Sequence, residues 1–225
     1  MPRNKLDRFQ DIAEFEHVLE YTDFKNGSPK PKGRWKGDIF GNQNPIVLEL
    51  ACGKGSYTLN LARKNHHKNF VGIDIKGARI WKGAQKSLDD GLTNVRFLRI
   101  FIDHLNEYFD AAEVDDIWIT FPDPYLKKSD ENKRLTSSKF LSIYQKVLKP
   151  GGSIRLKTDN DELFAYTKKE IEENGCKVLD VAEDIYKERP QDPWLTIKTD
   201  FEKKHLEKGR IISFISFTLP DQPIN

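Results

Sequence analysis

The strongest constraint in this sequence is an alternation. Short, β-branched apolar runs are followed repeatedly by a turn and a stretch with helical spacing. "IVLELA" (46–51), "NFVGIDI" (69–75), "NVRFLRIF" (94–101), "VDDIWIT" (114–120) and "SIRLKTD" (153–159) read as strands. Near-continuous apolar runs of this kind belong to strands covered on both faces. Between them, "SYTLNLARKN", "GARIWKGAQKSLDDG", "HLNEYF", "TSSKFLSIYQKVLKPGG" and "DELFAYTKKEIEENG" read as helices. Their stops are marked by Gly91, Pro150-Gly151-Gly152 and Gly175, and Thr136 or Ser137 is the expected cap of the fourth. "CKVLDVAEDI" and "GRIISFISFTL" read as two final strands, with "TDFEKKHLEKG" helical between them.

Strands alternating with helices predict a parallel sheet with helices on both faces and right-handed crossovers. The last two strands flank a short connection, so one of them is expected to run antiparallel at the edge. The predicted class is therefore α/β: a Rossmann-like, doubly wound, mostly parallel seven-stranded sheet with one antiparallel edge strand. One domain is expected over residues 45–225, after a basic N-terminal extension over residues 1–44. The extension shows only a short amphipathic piece near Phe9 to Leu19.

The chain has 225 residues, enough for one domain with a substantial core. An apolar fraction of 37% and a mean hydropathy of -0.66 fit a soluble globular protein. No run approaches a membrane span, and "MPRNKLDRFQ" lacks the apolar centre of a secretory signal. Cys52 and Cys176 lie far apart, which predicts a reduced, cytoplasmic setting without a disulfide framework. No metal-ligand spacing is present, so no metal site is expected. Nothing in the sequence speaks to oligomeric state.

"VLELACGKGSYT" puts Gly53 and Gly55 between a strand and a helix. Glycine lets the backbone turn tightly and lets a ligand approach, and the helix start that follows offers free N–H groups. Gly-x-Gly alone fits an ordinary strand-to-helix turn equally well. Asp74 ends the next strand about 20 residues on, where a carboxylate accepts both ribose hydroxyls of a nucleoside cofactor. Its plain structural alternative is a cap for the following helix. A dinucleotide fingerprint wants a third glycine where Thr58 stands, and a pyrophosphate disfavours the acid Glu49 at the tip of the first strand. S-adenosylmethionine has an ammonium, a sulfonium, an adenosine and no phosphate. The residue types prefer it to NAD.

"TFPDPYLKKSDENKRLT" (120–136) leaves the fourth strand with Asp123 locked between Pro122 and Pro124. Lys127, Lys128, Lys133 and Arg134 follow, placed to grip phosphate if the segment is more than a solvated loop. The net charge is only +2, so distribution matters more than the sum. "KNGSPKPKGRWKG" (25–37) adds Lys25, Lys30, Lys32, Arg34 and Lys36 with no acid, and interleaves Trp35. That pattern suits an extended arm on nucleic acid, or a solvated loop. In "TDFEKKH", Thr199 and Glu202 have the spacing of a capping box.

Taken together, "LELACGKG", "GIDIKGARIWKGA", "FPDPYLKK", "LKPGGSIRLKTDN" and "TDFEKKHLEKGR" stand in an order that resembles bacterial tRNA (guanine-N7)-methyltransferases. The resemblance runs from about Pro45 to the end. It implies a class I methyltransferase fold, S-adenosylmethionine as methyl donor and a guanosine in the tRNA variable loop as acceptor. It implies that Glu49 and Asp74 bind the cofactor, with Gly53 and Gly55 shaping its pocket. It implies Asp123 as the active-site carboxylate, and Lys127, Asp159 and the segment containing Thr199 and Glu202 as substrate contacts. The family's usual aspartate or asparagine beside the adenine is replaced here by Phe101, with Asp103 two positions on. Adenine contact there is expected through the Phe101 backbone or through Asp103. Tyr125 stands where a tryptophan is common.

Guanine N7 carries an exposed lone pair, so its methylation needs alignment rather than a strong base. A carboxylate accepts both N1–H and N2–H₂ of guanine, fixes the ring and offsets the charge it gains. Two other readings stay open on the residues alone. One is a class I methyltransferase acting on another RNA base or a small molecule. The other is a non-catalytic RNA-binding protein that keeps a nucleoside pocket. The joint presence of Glu49, Asp74 and Asp123 speaks against the latter, and a NAD-dependent reductase is least favoured.

Overall fold

The computed structural model describes residues 5–25 and 27–224; residues 1–4 of the N-terminal extension, Asn26 and Asn225 lie outside the described residues. The strands are β1 (Val18–Glu20), β2 (Ile46–Leu50), β3 (Asn69–Asp74), β4 (Val95–Arg99), β5 (Val114–Thr120), β6 (Leu148–Thr158), β7 (Lys177–Ala182) and β8 (Ser213–Thr218). The helices are α1 (Lys5–Glu14), α2 (Ser56–Lys64), α3 (Gly77–Asp89), α4 (Leu105–Tyr108), α5 (Ser138–Gln145), α6 (Asp161–Glu173), α7 (Ile185–Glu188) and α8 (Asp200–Leu206).

All eight strands form one sheet in the order β1-β4-β3-β2-β5-β6-β8-β7. Pairing is parallel except around β8, which is antiparallel to both β6 and β7. The antiparallel strand thus lies one place in from the edge, with β7 outside it. The eighth strand is β1, in the segment read as an extension. Three residues carry no period, and β1 becomes a strand only by pairing with β4, Leu19 opposite Leu98. The helix expected to end at Pro-Gly-Gly is shorter. It stops at Gln145, and β6 already pairs Leu148 with Val114 before the register shifts to Ser153 opposite Asp116.

Period-2 alternation sets the two halves of the core. Ile46, Leu48 and Leu50 of β2 point to one face, against Phe140, Leu141 and Tyr144 of α5. Val47 points to the other, with Tyr57 and Leu61 of α2 and Ile80 and Ala84 of α3. Each buried aliphatic side chain contributes about 1.5–3 kcal/mol relative to exposure. A one-residue slip would exchange the faces of Leu48 and Glu49, so the register of β2 is strongly specified. This register fixes where Glu49 points.

From β2 the chain steps to β3 and then β4 on one side, and returns to lay β5 on the other. The strand order therefore reverses between β2 and β5. In open α/β sheets, ligands bind in the crevice at the carboxyl ends of the strands where this reversal occurs. The glycine turn and the FPDP loop leave those two strands. The fold brings the two sequence motifs together.

Candidate functional site

The turn after β2 is built from left-handed backbone: Ala51 has φ 55°, Gly53 58° and Gly55 66°. Gly55 caps α2, and a Cβ added there would meet the Phe97 ring at 2.6 Å. A Cβ on Gly83 of α3 would lie 2.6 Å from the Lys54 carbonyl oxygen. These two glycines let the turn and α3 close around Phe97, so Gly55 shapes the site by packing. At Gly53 an added Cβ would meet nothing within 4 Å. That residue faces open space.

Asp74 ends β3 and is held by two backbone N–H groups, from Gly53 at 2.9 Å and Lys76 at 2.8 Å. It therefore fixes the chain just before α3 and ties down the glycine turn, while still lining the adjoining cavity. Glu49 is buried at the end of β2. It accepts from the Thr58 backbone N–H at 2.8 Å, from the Thr58 hydroxyl and from the Thr120 hydroxyl at 2.7 Å. Burial pushes its pKa up to about 7, against the lowering effect of those bonds. Thr58, the residue that breaks the dinucleotide pattern, is thus the partner that holds this carboxylate.

The FPDP loop leaves β5 in strained geometry. Phe121 has φ 49° and Tyr125 has φ 43°, flanking Asp123 on either side. The loop is clamped by Arg134, whose guanidinium is buried. It donates to the Pro124 carbonyl at 2.9 Å, to the Tyr125 carbonyl at 3.0 Å and to Glu162 at 2.9 Å, and it stacks 4.3 Å from the Tyr166 ring centroid. The sequence reading put Arg134 among phosphate-gripping cations. The structure turns it inward, because three loop and helix acceptors satisfy a planar fork better than solvent does. Asp123 itself is exposed and lines the cavity, with no hydrogen bond or ion pair from any described residue.

Two cavities of about 310 and 350 Å³ lie over the switch point and share Ala51, Arg79 and Phe121. The first holds Asp74, Phe101, Asp103, Asp123 and Tyr125. Phe101 is 57% exposed and its carbonyl accepts from His104 N–H at 3.0 Å. Asp103 is ion-paired with Lys139 at the same wall. The second cavity holds Glu49, Gly53, Thr199 and Phe201. Both volumes fall in the range of small-molecule sites.

The C-terminal wall is organised by a buried ion pair. Thr199 and Glu202 form the capping box of α8, the hydroxyl of Thr199 accepting from Glu202 N–H at 3.1 Å. Glu202 is wholly buried and meets Lys157 at 2.7 Å, while Tyr186 donates to it at 2.6 Å. In these contacts the side chain anchors α8. Lys157 also donates to the carbonyls of Leu195 at 2.7 Å and Ile197 at 3.0 Å. Asp159 is turned to His205 at 2.5 Å, and His205 stacks on Phe201 with centroids 3.9 Å apart. Phe201, which the sequence reading did not single out, is half-exposed at the second cavity and lies 5.2 Å from the Phe121 ring.

Lys127 and Lys128 are exposed, and Lys133 pairs with Asp130 at 2.7 Å. The N-terminal basic run is docked on the body. Trp35 is wholly buried, stacks on Phe109 at 4.7 Å and donates its indole N–H to the Tyr108 carbonyl at 2.8 Å. Lys30 pairs with Glu107 at 2.5 Å, Lys32 with Asp110 at 3.9 Å and Arg34 with Asp38 at 3.1 Å. Trp35 is an anchor for this run, and three of its five cations already face acids. Among the described residues no helix is long and apolar enough to cross a membrane, and no three His, Cys, Asp or Glu side chains gather as a metal site.

The family model described as "Putative methyltransferase" matches residues 43–215. A tRNA (guanine-N(7)-)-methyltransferase of Bacteroides thetaiotaomicron is 46% identical over 226 residues, covering 100% of this chain and 89% of that protein. One from Porphyromonas gingivalis is 48% identical over 211 residues, covering 91% of this chain and 85% of the relative. Among solved structures, the 16S rRNA methyltransferase KamB superposes with a TM-score of 0.61 at 17% identity, covering 79% of this chain and 89% of its own. A 30S ribosomal A1408 methyltransferase from an uncultured bacterium gives 0.57 at 19% identity, covering 81% and 91%. These two likenesses speak to the fold: a class I methyltransferase sheet with helices on both faces.

Proposed function

We infer that this chain, which belongs to the tRNA (guanine-N7)-methyltransferase family, transfers a methyl group from S-adenosylmethionine to N7 of a guanosine in the variable loop of tRNA. One observation carries the reading. Asp123, without a partner among the described residues, stands in a clamped loop on the cavity that holds Asp74, and the adjoining cavity holds Glu49.

The residues present fit the donor. Gly53 leaves its backbone open to the cavity, and Asp74 is held by its backbone donors on the side of the glycine turn and α3. In this reading Asp74 accepts the ribose hydroxyls and Glu49 meets the ammonium end. Phe101 and Asp103 border the adenine side. When bound, S-adenosylmethionine supplies an electrophilic methyl group on its sulfonium.

The work left to the protein is alignment. Asp123 accepts guanine N1–H and N2–H₂ and so turns N7 toward the donor chamber. No proton has to leave before attack, so the site needs no strong base. The carboxylate also offsets the positive charge that appears on the base. Arg134 restricts the loop, which limits the geometries Asp123 samples. Phe201 and Tyr125 offer aromatic faces to an extruded base. Lys127 reaches the flanking backbone, and Thr199 fixes the end of α8 at the rim. A tRNA substrate makes the cytoplasm the site of action.

Incubation with methyl-labelled S-adenosylmethionine and total tRNA, followed by digestion to nucleosides, tests the function. Label in N7-methylguanosine is expected. Label in N6-methyladenosine, or none in RNA, would overturn it.

A further inference from the structure

The sequence points to two basic segments for RNA, and the structure lowers the weight of both. Three cations of the N-terminal run pair with acids, Arg134 is buried and Lys133 is paired. A third group of cations is invisible in sequence. Lys54 comes from the glycine turn, Arg79 from the first turn of α3 and Lys204 from α8. They lie about 25 and 125 residues apart along the chain, yet all three line the second cavity.

Each is exposed, and none makes a side-chain hydrogen bond, ion pair or ring contact with a described residue. Arg79 also borders the first cavity, so it stands between the two chambers. Two acids share the second cavity. Asp200 is already 3.9 Å from Lys203, and Glu49 is buried, hydrogen-bonded and raised to a pKa of about 7 by that burial. The mouth is therefore locally cationic and has no internal counter-charge on its three free side chains. The half-exposed Phe201 ring lies in the same mouth. Unpaired cations around an exposed aromatic face match what extruded, single-stranded nucleic acid requires.

We propose that Lys54, Arg79 and Lys204 form a phosphate clamp at the mouth of the second cavity, which takes the backbone phosphates flanking the target nucleotide. The clamp rests on the reading of this site as a tRNA methyltransferase. It is separate from the lysines that follow Asp123. It explains how a chain with a net charge of only +2 holds a polyanion: three cations from distant segments converge at the second cavity, which adjoins the one that holds Asp123.

The test compares two triple variants, Lys54→Ala/Arg79→Ala/Lys204→Ala and Lys30→Ala/Lys32→Ala/Arg34→Ala, with the three single clamp variants alongside. The readout is tRNA affinity against salt concentration, with calorimetric affinity for S-adenosylmethionine as the second measurement. Each lost phosphate contact lowers the slope of log affinity against log salt by about 0.7–0.9. The clamp triple is expected to lose about two in slope, and each single variant just under about one, with donor affinity within roughly twofold of wild type. The arm triple is expected to lose less than about one. An unchanged slope in the clamp variants, or a loss of donor affinity with the tRNA slope intact, would overturn the clamp. Either result leaves the function standing if the wild-type chain still makes N7-methylguanosine, so the two failures are distinguishable.

Discussion

Lys157 and Glu202 meet at 2.7 Å with both side chains wholly buried. One lies near the end of β6 and the other one turn into α8. Burial pulls the Lys157 pKa down, and Glu202 works against that shift. The pair fixes the helix that carries Thr199 and Phe201 to the strand beside the FPDP loop, where Phe121 N–H donates to the Lys157 carbonyl at 2.8 Å.

Breaking this pair leaves one buried charge alone. Lys157→Met is expected to cost about 3–5 kcal/mol. Thermal unfolding should show a midpoint lower by roughly 6–20 °C at about 2–4 °C per kcal/mol. Lys157→Met/Glu202→Leu, which removes both charges, should recover part of the loss. A single variant that melts like wild type would show the pair to be dispensable.

Arg134 supports a loop rather than a ligand. Lys in its place cannot present a planar fork to the Pro124 and Tyr125 carbonyls and to Glu162. Arg134→Lys should lose about 1–3 kcal/mol of stability. Turnover on tRNA should fall while donor affinity, measured by calorimetry, stays close to wild type. A drop in donor affinity with turnover preserved would contradict that role.

Much of this was legible in the sequence. Seven of the eight strands are legible as apolar runs, and burial on both faces shows as composition in Ile46–Leu50 and Asn69–Asp74, whereas Lys177–Ala182 is largely exposed. The capping box at Thr199 and the glycine turn were legible because local spacing encodes them. What escaped is set by long-range contact. A lysine or arginine in a charge run looks the same whether it faces solvent, like Lys127, or a buried cage, like Arg134. Trp35 sits in a basic run that suits an RNA-binding arm, and its stacking partner Phe109 lies far along the chain. Gly83 reads as an indifferent helix residue, and only the Lys54 carbonyl and the Phe97 ring explain it. Glu202 fitted a substrate contact by motif, yet its carboxylate is wholly inside.

Glu49 gives a pH signature. Its pKa of about 7 in the folded protein lies above the 4.5 of an unperturbed glutamate. The folded state therefore holds a proton that the unfolded chain releases between these values. This contribution to stability is complete below about pH 4.5 and is lost as pH rises to about 7, with an amplitude on the order of 3 kcal/mol. Glu49→Gln should remove it. The difference in melting temperature between variant and wild type, free of donor, should shift in favour of the variant across that window. A constant difference would contradict the assignment.

The same group couples donor binding to protons. An ammonium beside Glu49 favours the ionised carboxylate, so binding should release a proton near pH 6 to 7 and tighten as pH rises through about 7. Calorimetry in buffers of different ionisation enthalpy reads that proton directly. Binding without proton release in this range would place the cationic end of the donor elsewhere.

The central claim is that Asp123, without a partner among the described residues, holds the guanine so that N7 meets the methyl group. Single-turnover methylation of tRNA by Asp123→Asn, with donor saturating, tests it most directly, because the amide keeps the shape and loses the second acceptor. A rate lower by about 100-fold or more, with donor affinity unchanged, is the predicted result. A wild-type rate would contradict the account.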